Sequence, residues 1–196
     1  KKIYYLTSFT YVIFVEKFIF KKAVKIQTYG YLDYRYLVKN HNNICYVPII
    51  KDYEVKNFQY SKTKEFNIIL YGNFTLTEQK KYFRALMKLK TFERISLFSN
   101  IRIIGKPPKQ LRLISKLNIK YDFLSEIELK KNLNLSDIII LFDEVRSGMS
   151  NRTIEAIKSG SFIIGTKASF NGLIVNNKCL ITNDINLWVN KILEIS

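Results

Sequence analysis

One histidine, two cysteines and three prolines are spread over 196 residues, and each scarcity excludes a chemistry. Cys45 and Cys179 form no CxxC pair and have no histidine beside them, so the roughly four nitrogen and sulfur ligands of a zinc site cannot be gathered within the chain. His41 falls in the polar run Lys39-Asn40-His41-Asn42-Asn43. It reads as an exposed loop residue, which argues against a Ser-His-Asp or Cys-His nucleophile. Both cysteines sit in apolar stretches and read as small buried hydrophobes in a reducing, cytosolic compartment. An uncharged apolar run of about 18 residues is missing, which excludes a polytopic membrane protein.

Arginine is scarce as well. The formal net charge is +16, but 25 of the 32 basic residues are lysine and only 7 are arginine. Nucleic-acid sites favour arginine for bidentate base and phosphate contacts, with aromatics interleaved on one surface. The basic residues are also spread evenly along the chain. Ile, Lys, Asn, Phe and Tyr together make up half the residues, and all have A+T-rich codons, so compositional bias accounts for the lysine. No nucleic-acid partner is expected. A basic surface of this kind still offers peripheral contact with the inner face of a membrane.

What remains is ordinary globular material, 47% hydrophobic and 24% charged. The stretch Ile3–Phe20 is apolar, but Glu16-Lys17 interrupts it and it has no A-x-A-like cleavage site. It reads as an amphipathic helix over 9–23 rather than a signal peptide or anchor. A strand over Val24–Thr28, a short helix over Asp33–Val38 and a strand over Ile44–Ile49 follow. Two strands are too few for an independent core. The polar segment Gln59–Glu65 reads as a linker, dividing a short appendage over 1–60 from a domain over 66–196.

From Phe66 onward, short β-branched runs alternate with helix-length segments. The runs are Asn67–Gly72, Ile101–Gly105, Ile119–Leu124, Asp137–Phe142, Phe162–Thr166 and Lys178–Thr182; helices are expected over Thr77–Lys90, Gln110–Leu117, Ser125–Leu133, Ser150–Ser159 and Asp184–Glu194. Apolar runs without alternation are what strands covered on both faces look like. The pattern predicts an α/β fold with a doubly wound, Rossmann-like parallel sheet. Such sheets bind ligands at the carboxyl ends of their strands.

The sharpest local signal is Arg146-Ser147-Gly148-Met149-Ser150-Asn151-Arg152-Thr153-Ile154-Glu155-Ala156, continuing to Gly160 and a strand ending in Thr166. A loop of small residues opening a helix presents backbone N–H groups to a phosphate, with Arg146 and Arg152 to add charge-assisted bonds. Glu155 lies one turn into the helix, where a carboxylate can take the hydroxyls of a ribose. A plainer reading stands beside this one: Ser150 an N-cap, Glu155 a solvated helix residue, Gly160 a C-cap. Trp188, in the last helix with Leu187, Ile192 and Leu193, reads as core.

The stretch Gly148 to Thr166 resembles the nucleotide-sugar site of retaining glycosyltransferases of the two-domain GT-B type, close to family 4. Ser169-Phe170-Asn171-Gly172-Leu173 is similar to the downstream family loop, and Leu70-Tyr71-Gly72-Asn73 and Ile103-Ile104-Gly105-Lys106-Pro107 resemble its strand-turn openings. Val15-Glu16-Lys17 through Cys45-Tyr46-Val47-Pro48 looks like the end of the acceptor-side domain. The likeness covers nearly all of the nucleotide half and only the last 60 or so residues of the acceptor half. It departs from the family in two places. Ser147 stands where many members carry an acid eight residues before Glu155, with Asp143 and Glu144 slightly upstream. The basic residues that often follow the first strand are replaced by Gly72-Asn73-Phe74-Thr75.

The resemblance implies a cytoplasmic transferase of polysaccharide biosynthesis. A nucleoside diphosphate sugar would be its co-substrate, a glycan or lipid-linked molecule its acceptor, and neither cofactor nor metal would be required. It implies a nucleotide-sugar site of Gly72, Asn73, Lys106, Phe123, Leu124, Arg146, Gly148, Met149, Ser150, Asn151, Arg152 and Glu155. Glu155 would hold the ribose, Gly148 to Arg152 the diphosphate, and Phe123-Leu124 would flank the base. Two alternatives remain open: a nucleotide-binding module without catalysis, and a response-regulator-like or generic Rossmann binder.

Overall fold

Six of the apolar runs become the strands of a single parallel sheet. The computed structural model describes residues 20–28, 31–46, 66–107, 119–122, 124–144, 150–173, 175 and 177–196, and the chain divides into two compact units, Lys1–Ile50 and Lys51–Ser196. In the first, β1 (Ile26–Thr28) and β2 (Ile44–Tyr46) pair in parallel across α1 (Tyr31–Leu37), with Ile26 opposite Ile44. Residues 20–22 are helical and Ala23 is not; residues 9–19 of the helix expected over 9–23 lie outside the described residues, as do residues 47–49 of the expected second strand. His41 is not a free loop residue but is half-buried and meets the Phe20 ring edge-on at 5.3 Å.

The second unit runs β3 (Phe66–Tyr71), α2 (Thr77–Met87), α3 (Lys90–Phe98), β4 (Ser99–Ile104), β5 (Ile119–Asp122), α4 (Glu126–Asn134), β6 (Ile138–Leu141), α5 (Asn151–Ser159), β7 (Phe162–Gly165), β8 (Cys179–Ile181) and α6 (Ile185–Ile195). The strand order is β5-β4-β3-β6-β7-β8, and every pairing is parallel. The first strand of the unit thus lies at the centre, and the chain winds outward from it first one way and then the other. This is the order of dinucleotide-binding sheets.

The absence of alternation in the runs has its reason here. Ile68, Leu70, Ile101, Ile103, Ile138 and Ile140 face one layer, built on Phe83 and Leu86 of α2, Phe92 and Ile95 of α3, and Trp188 and Ile192 of α6. Their neighbours Ile69, Tyr71, Ile104, Ile139, Leu141 and Ile163 face the other layer, with Leu133 of α4 and Ala156 of α5. With both faces covered, every position along β6 is buried. Trp188 is core, as expected: it is fully buried, it stacks on Tyr82, and its indole N–H donates to the Thr182 carbonyl at 2.9 Å.

Two expectations need correction. The helix expected over Thr77–Lys90 ends at Met87, and a further helix not expected from the sequence, α3, runs on from Lys90, because the chain turns extended at Leu89, which packs against the core before α3 starts. No Gly or Pro marks that break. Cys45 and Cys179 are half-buried rather than buried, since β2 belongs to a two-stranded pair and β8 is an edge strand. The helix expected over Gln110–Leu117 lies outside the described residues. Elsewhere the local chemistry works as expected. Ser125 and Glu128 form a capping box that starts α4. Gly160, at φ 80°, ends α5 in the left-handed conformation.

Candidate functional site

The winding reverses between β3 and β6, and the carboxyl ends of these two neighbouring strands are where a sheet of this order receives a ligand. Two glycine turns shape the β3 side. The Gly72 N–H donates to the Ile104 carbonyl at 3.1 Å, and the Phe74 N–H to that of Lys106 at 2.8 Å. Gly105 has φ 110°, and a Cβ there would lie 2.2 Å from the Gly72 carbonyl oxygen. Only glycine fits so close an approach.

Below these turns lies a buried polar network. Gln79 of α2 is 1% exposed. Its Oε1 accepts from the Asn73 N–H at 2.5 Å and from Arg152 Nη1 at 3.2 Å, and its Nε2 donates to Asp143 Oδ1 at 2.8 Å. Asp143, two residues past β6, also takes Arg152 Nη2 at 2.9 Å. Its main chain is held too: the Asp143 N–H donates to Ser169 Oγ at 3.2 Å, and the Thr166 hydroxyl donates to the Asp143 carbonyl. Thr153 Oγ1 donates to the Ser169 carbonyl at 2.6 Å, which ties α5 to the loop after β7. A guanidinium carries five N–H donors, more than Gln79 and Asp143 use.

Beside this network the Tyr71 hydroxyl donates to Glu155 Oε2 at 2.6 Å. Burial pushes the Tyr71 hydroxyl above its ordinary range, and the bond to Glu155 and its negative charge add to the shift against the opposing charge of Arg152. The phenol therefore keeps its proton, and Glu155 is the acceptor. Ser150 is buried and caps α5, its Oγ accepting from the Thr153 N–H at 3.3 Å. The N–H groups of Asn151 and Arg152 have no partner within the helix by its geometry. The plainer reading of this segment thus holds at its two ends, Ser150 and Gly160, and does not hold for Glu155, which is tied to β3.

The structure brings Gly72, Asn73, Arg152 and Glu155 together through Tyr71 and Gln79. Lys106 is exposed in the turn after β4, Asn151 is exposed at the start of α5, and Leu124 is half-buried against the second core layer. Phe123, Arg146, Gly148 and Met149 lie outside the described residues. The two acids upstream of Ser147 have other partners: Asp143 is buried beside Arg152, and Glu144 pairs with Lys81 of α2. Sequence reasoning missed Tyr71, Gln79 and Asp143 as site residues. Tyr71 carried a signal, a hydroxyl-tipped ring closing an aliphatic strand before a glycine. Asp143 carried one too, an acid just past four buried aliphatics. Gln79 looked like any helical residue. Among the described residues, no group of three or more His, Cys, Asp or Glu side chains could hold a metal ion, and no helix is long and apolar enough to cross a membrane.

The strand order, with the reversal between β3 and β6 and the helix α5 at that reversal, makes this a Rossmann-like fold of the kind found in GT-B glycosyltransferases. Solved structures share it. S. aureus TarM, in a complex containing UDP, is similar with a TM-score of 0.68 at 15% identity, over 92% of this chain and 39% of that one. A glycosyltransferase from Rickettsia africae gives 0.63 at 15% identity, over 87% and 52%. Anabaena HepE, in complex with UDP-glucose, gives 0.62 at 11% identity, over 88% and 54%. At these identities the likeness is one of fold, and the chain spans between about two fifths and just over half of those proteins. No protein-family model and no curated protein sequence matches the chain.

Proposed function

We propose that this chain is the donor-binding half of a retaining, family 4-like glycosyltransferase. It would bind a nucleoside diphosphate sugar and transfer the sugar to a glycan or lipid-linked acceptor. The observation that carries the reading is the Glu155 carboxylate, half-buried and held by Tyr71, three residues along α5 from Arg152, where the sheet reverses. A carboxylate there suits a ribose diol, and a cation with the first N–H groups of α5 suits a diphosphate. Solved proteins of the same fold bind UDP and UDP-glucose.

In this reading the residues act by electrostatics. The leaving diphosphate gains negative charge as the sugar departs. Donors fixed beforehand by α5 and by the Gln79–Asp143 network stabilise that charge without reorganising. Arg152 would meet the phosphates with Lys106 and Arg146, the chain having Asn73 where the family often has a basic residue. No metal enters the scheme, so EDTA is expected to leave nucleotide binding unchanged. We assign the protein to the cytosol, with its basic surface available to anionic lipid.

Calorimetric titration of the chain with UDP, GDP and ADP, and with the matching nucleosides, tests the proposal. Losing a charge-assisted hydrogen bond costs about 1.5–3 kcal/mol, so Glu155→Gln should weaken binding roughly tenfold to a hundredfold. Arg152→Ala should weaken the diphosphate much more than the nucleoside. Equal affinity for diphosphate and nucleoside, or no effect of Glu155→Gln, would return this helix to a purely structural role.

A further inference from the structure

The proposed role of Glu155 leaves Tyr71 unexplained. Tyr71 closes β3, the central strand, and is 8% exposed. Its ring belongs to the layer containing Ile104, Leu141 and Ala156, so packing fixes the ring before any ligand arrives. From there the hydroxyl reaches across 84 residues of sequence to Glu155 Oε2 at 2.6 Å. Packing alone would be served as well by phenylalanine. The hydroxyl has to answer to something else.

Two consequences follow from the chemistry of that bond. A glutamate on a helix has three side-chain torsions, and its terminal one is broad. A hydrogen bond from a ring locked in the core holds the carboxylate plane in one orientation. The phenol, its proton committed to Glu155, keeps oxygen lone pairs that can accept a further hydrogen bond. Glu155 and Tyr71 together therefore present adjacent acceptors in a fixed arrangement. That matches a vicinal diol, whose two hydroxyls both donate, better than a lone hydroxyl.

We propose that Tyr71 is a positioning residue for Glu155, and that the pair makes this site select ribose over 2′-deoxyribose. The inference rests on the nucleotide-binding reading above and adds a specificity to it. A site built to hydrogen-bond a hydroxyl rejects the analogue lacking it, because buried acceptors are then left unpaired.

The test uses the full chain and calorimetry. UDP, GDP and ADP are titrated first, and the tightest binder is carried forward with its 2′-deoxy counterpart. The unaltered protein is expected to prefer the ribonucleotide by about tenfold or more. Tyr71→Phe keeps the ring and its packing. It should weaken the ribonucleotide about tenfold and leave the deoxyribonucleotide nearly unchanged, bringing the two within about threefold. Glu155→Asp keeps the charge but draws the carboxylate back from the tyrosine hydroxyl. It should lose the preference in the same way, which tests the ribose selection by the carboxylate if Tyr71→Phe does not fold. An unaltered protein that binds none of the three nucleotides overturns the nucleotide reading and this inference with it. Binding without a ribose preference overturns the inference alone. So does a preference that survives both substitutions, or a parallel weakening of both nucleotides, which is what a merely structural tyrosine would give.

Discussion

Arg152 and Asp143 stand nine residues apart in sequence and meet at 2.9 Å, one on α5 and the other just past β6. The carboxylate is 5% exposed and the guanidinium 23%. Removing one partner of such a pair strands the other charge. Arg152→Ala should cost about 2–4 kcal/mol, toward the low end of the range for buried pairs because the arginine keeps some solvent. The double variant Arg152→Met, Asp143→Asn should recover part of that loss, since it leaves no charge behind. Urea denaturation of the unaltered protein and both variants measures both effects, and a single-variant cost below about 0.5 kcal/mol contradicts the assignment.

The glycine turns should rank differently under substitution. Gly105→Ala combines φ 110° with a Cβ 2.2 Å from a backbone oxygen, whereas Gly160 has only the left-handed conformation of a helix end. Gly160→Ala should cost about 1 kcal/mol, and Gly105→Ala at least about 2 kcal/mol or failure to fold. Thermal melts establish the order.

Tyr71 gives stability a dependence on alkaline pH. Its hydroxyl titrates higher in the folded protein than in the unfolded chain, where a tyrosine ionises near pH 10. Its contribution is therefore fully present below about pH 10 and is lost as pH rises beyond that, because the unfolded state then releases the proton more readily. The difference in urea midpoint between the unaltered protein and Tyr71→Phe should be constant from pH 7 to 9 and shrink above pH 10. A difference that grows with alkalinity has the wrong sign.

Trp188 is the one tryptophan of the chain and is fully buried between α2, α6 and the sheet. Native fluorescence should be blue-shifted and poorly quenched by acrylamide, moving red on unfolding. Trp188→Ala should cost about 3–5 kcal/mol. Strong quenching of the native protein would place the indole elsewhere.

Much of the second unit was legible because its signals are local. Buried parallel strands announce themselves as aliphatic runs such as Ile138-Ile139-Ile140-Leu141, and Ser125, Ser150 and Gly160 mark helix ends by chemistry that needs no tertiary partner. The break between α2 and α3 was not legible, since a leucine turned extended to reach the core and no residue type marked it. The site was half legible. Glu155 and Arg152 stand in a recognisable pattern, but what holds them comes from β3, α2 and the end of β6. Gln79, Asp143 and Arg152 form one network only because strand order brings together segments 64 and 73 residues apart.

The central position of β3 sets a condition on how this protein is made. On one side β3 is completed by β6, and Asp137, just before β6, accepts from the Asn67 N–H of β3 from 70 positions downstream. At ribosomal rates of roughly 5–20 residues per second, that partner follows roughly 4–14 seconds after β3 has been synthesised. During that interval an apolar strand of the nascent chain has an open edge, the kind of surface that recruits other chains. Cotranslational chaperone occupancy should therefore peak between the emergence of Phe66–Tyr71 and that of Ile138–Leu141, and aggregation of truncated products should fall once β6 is included.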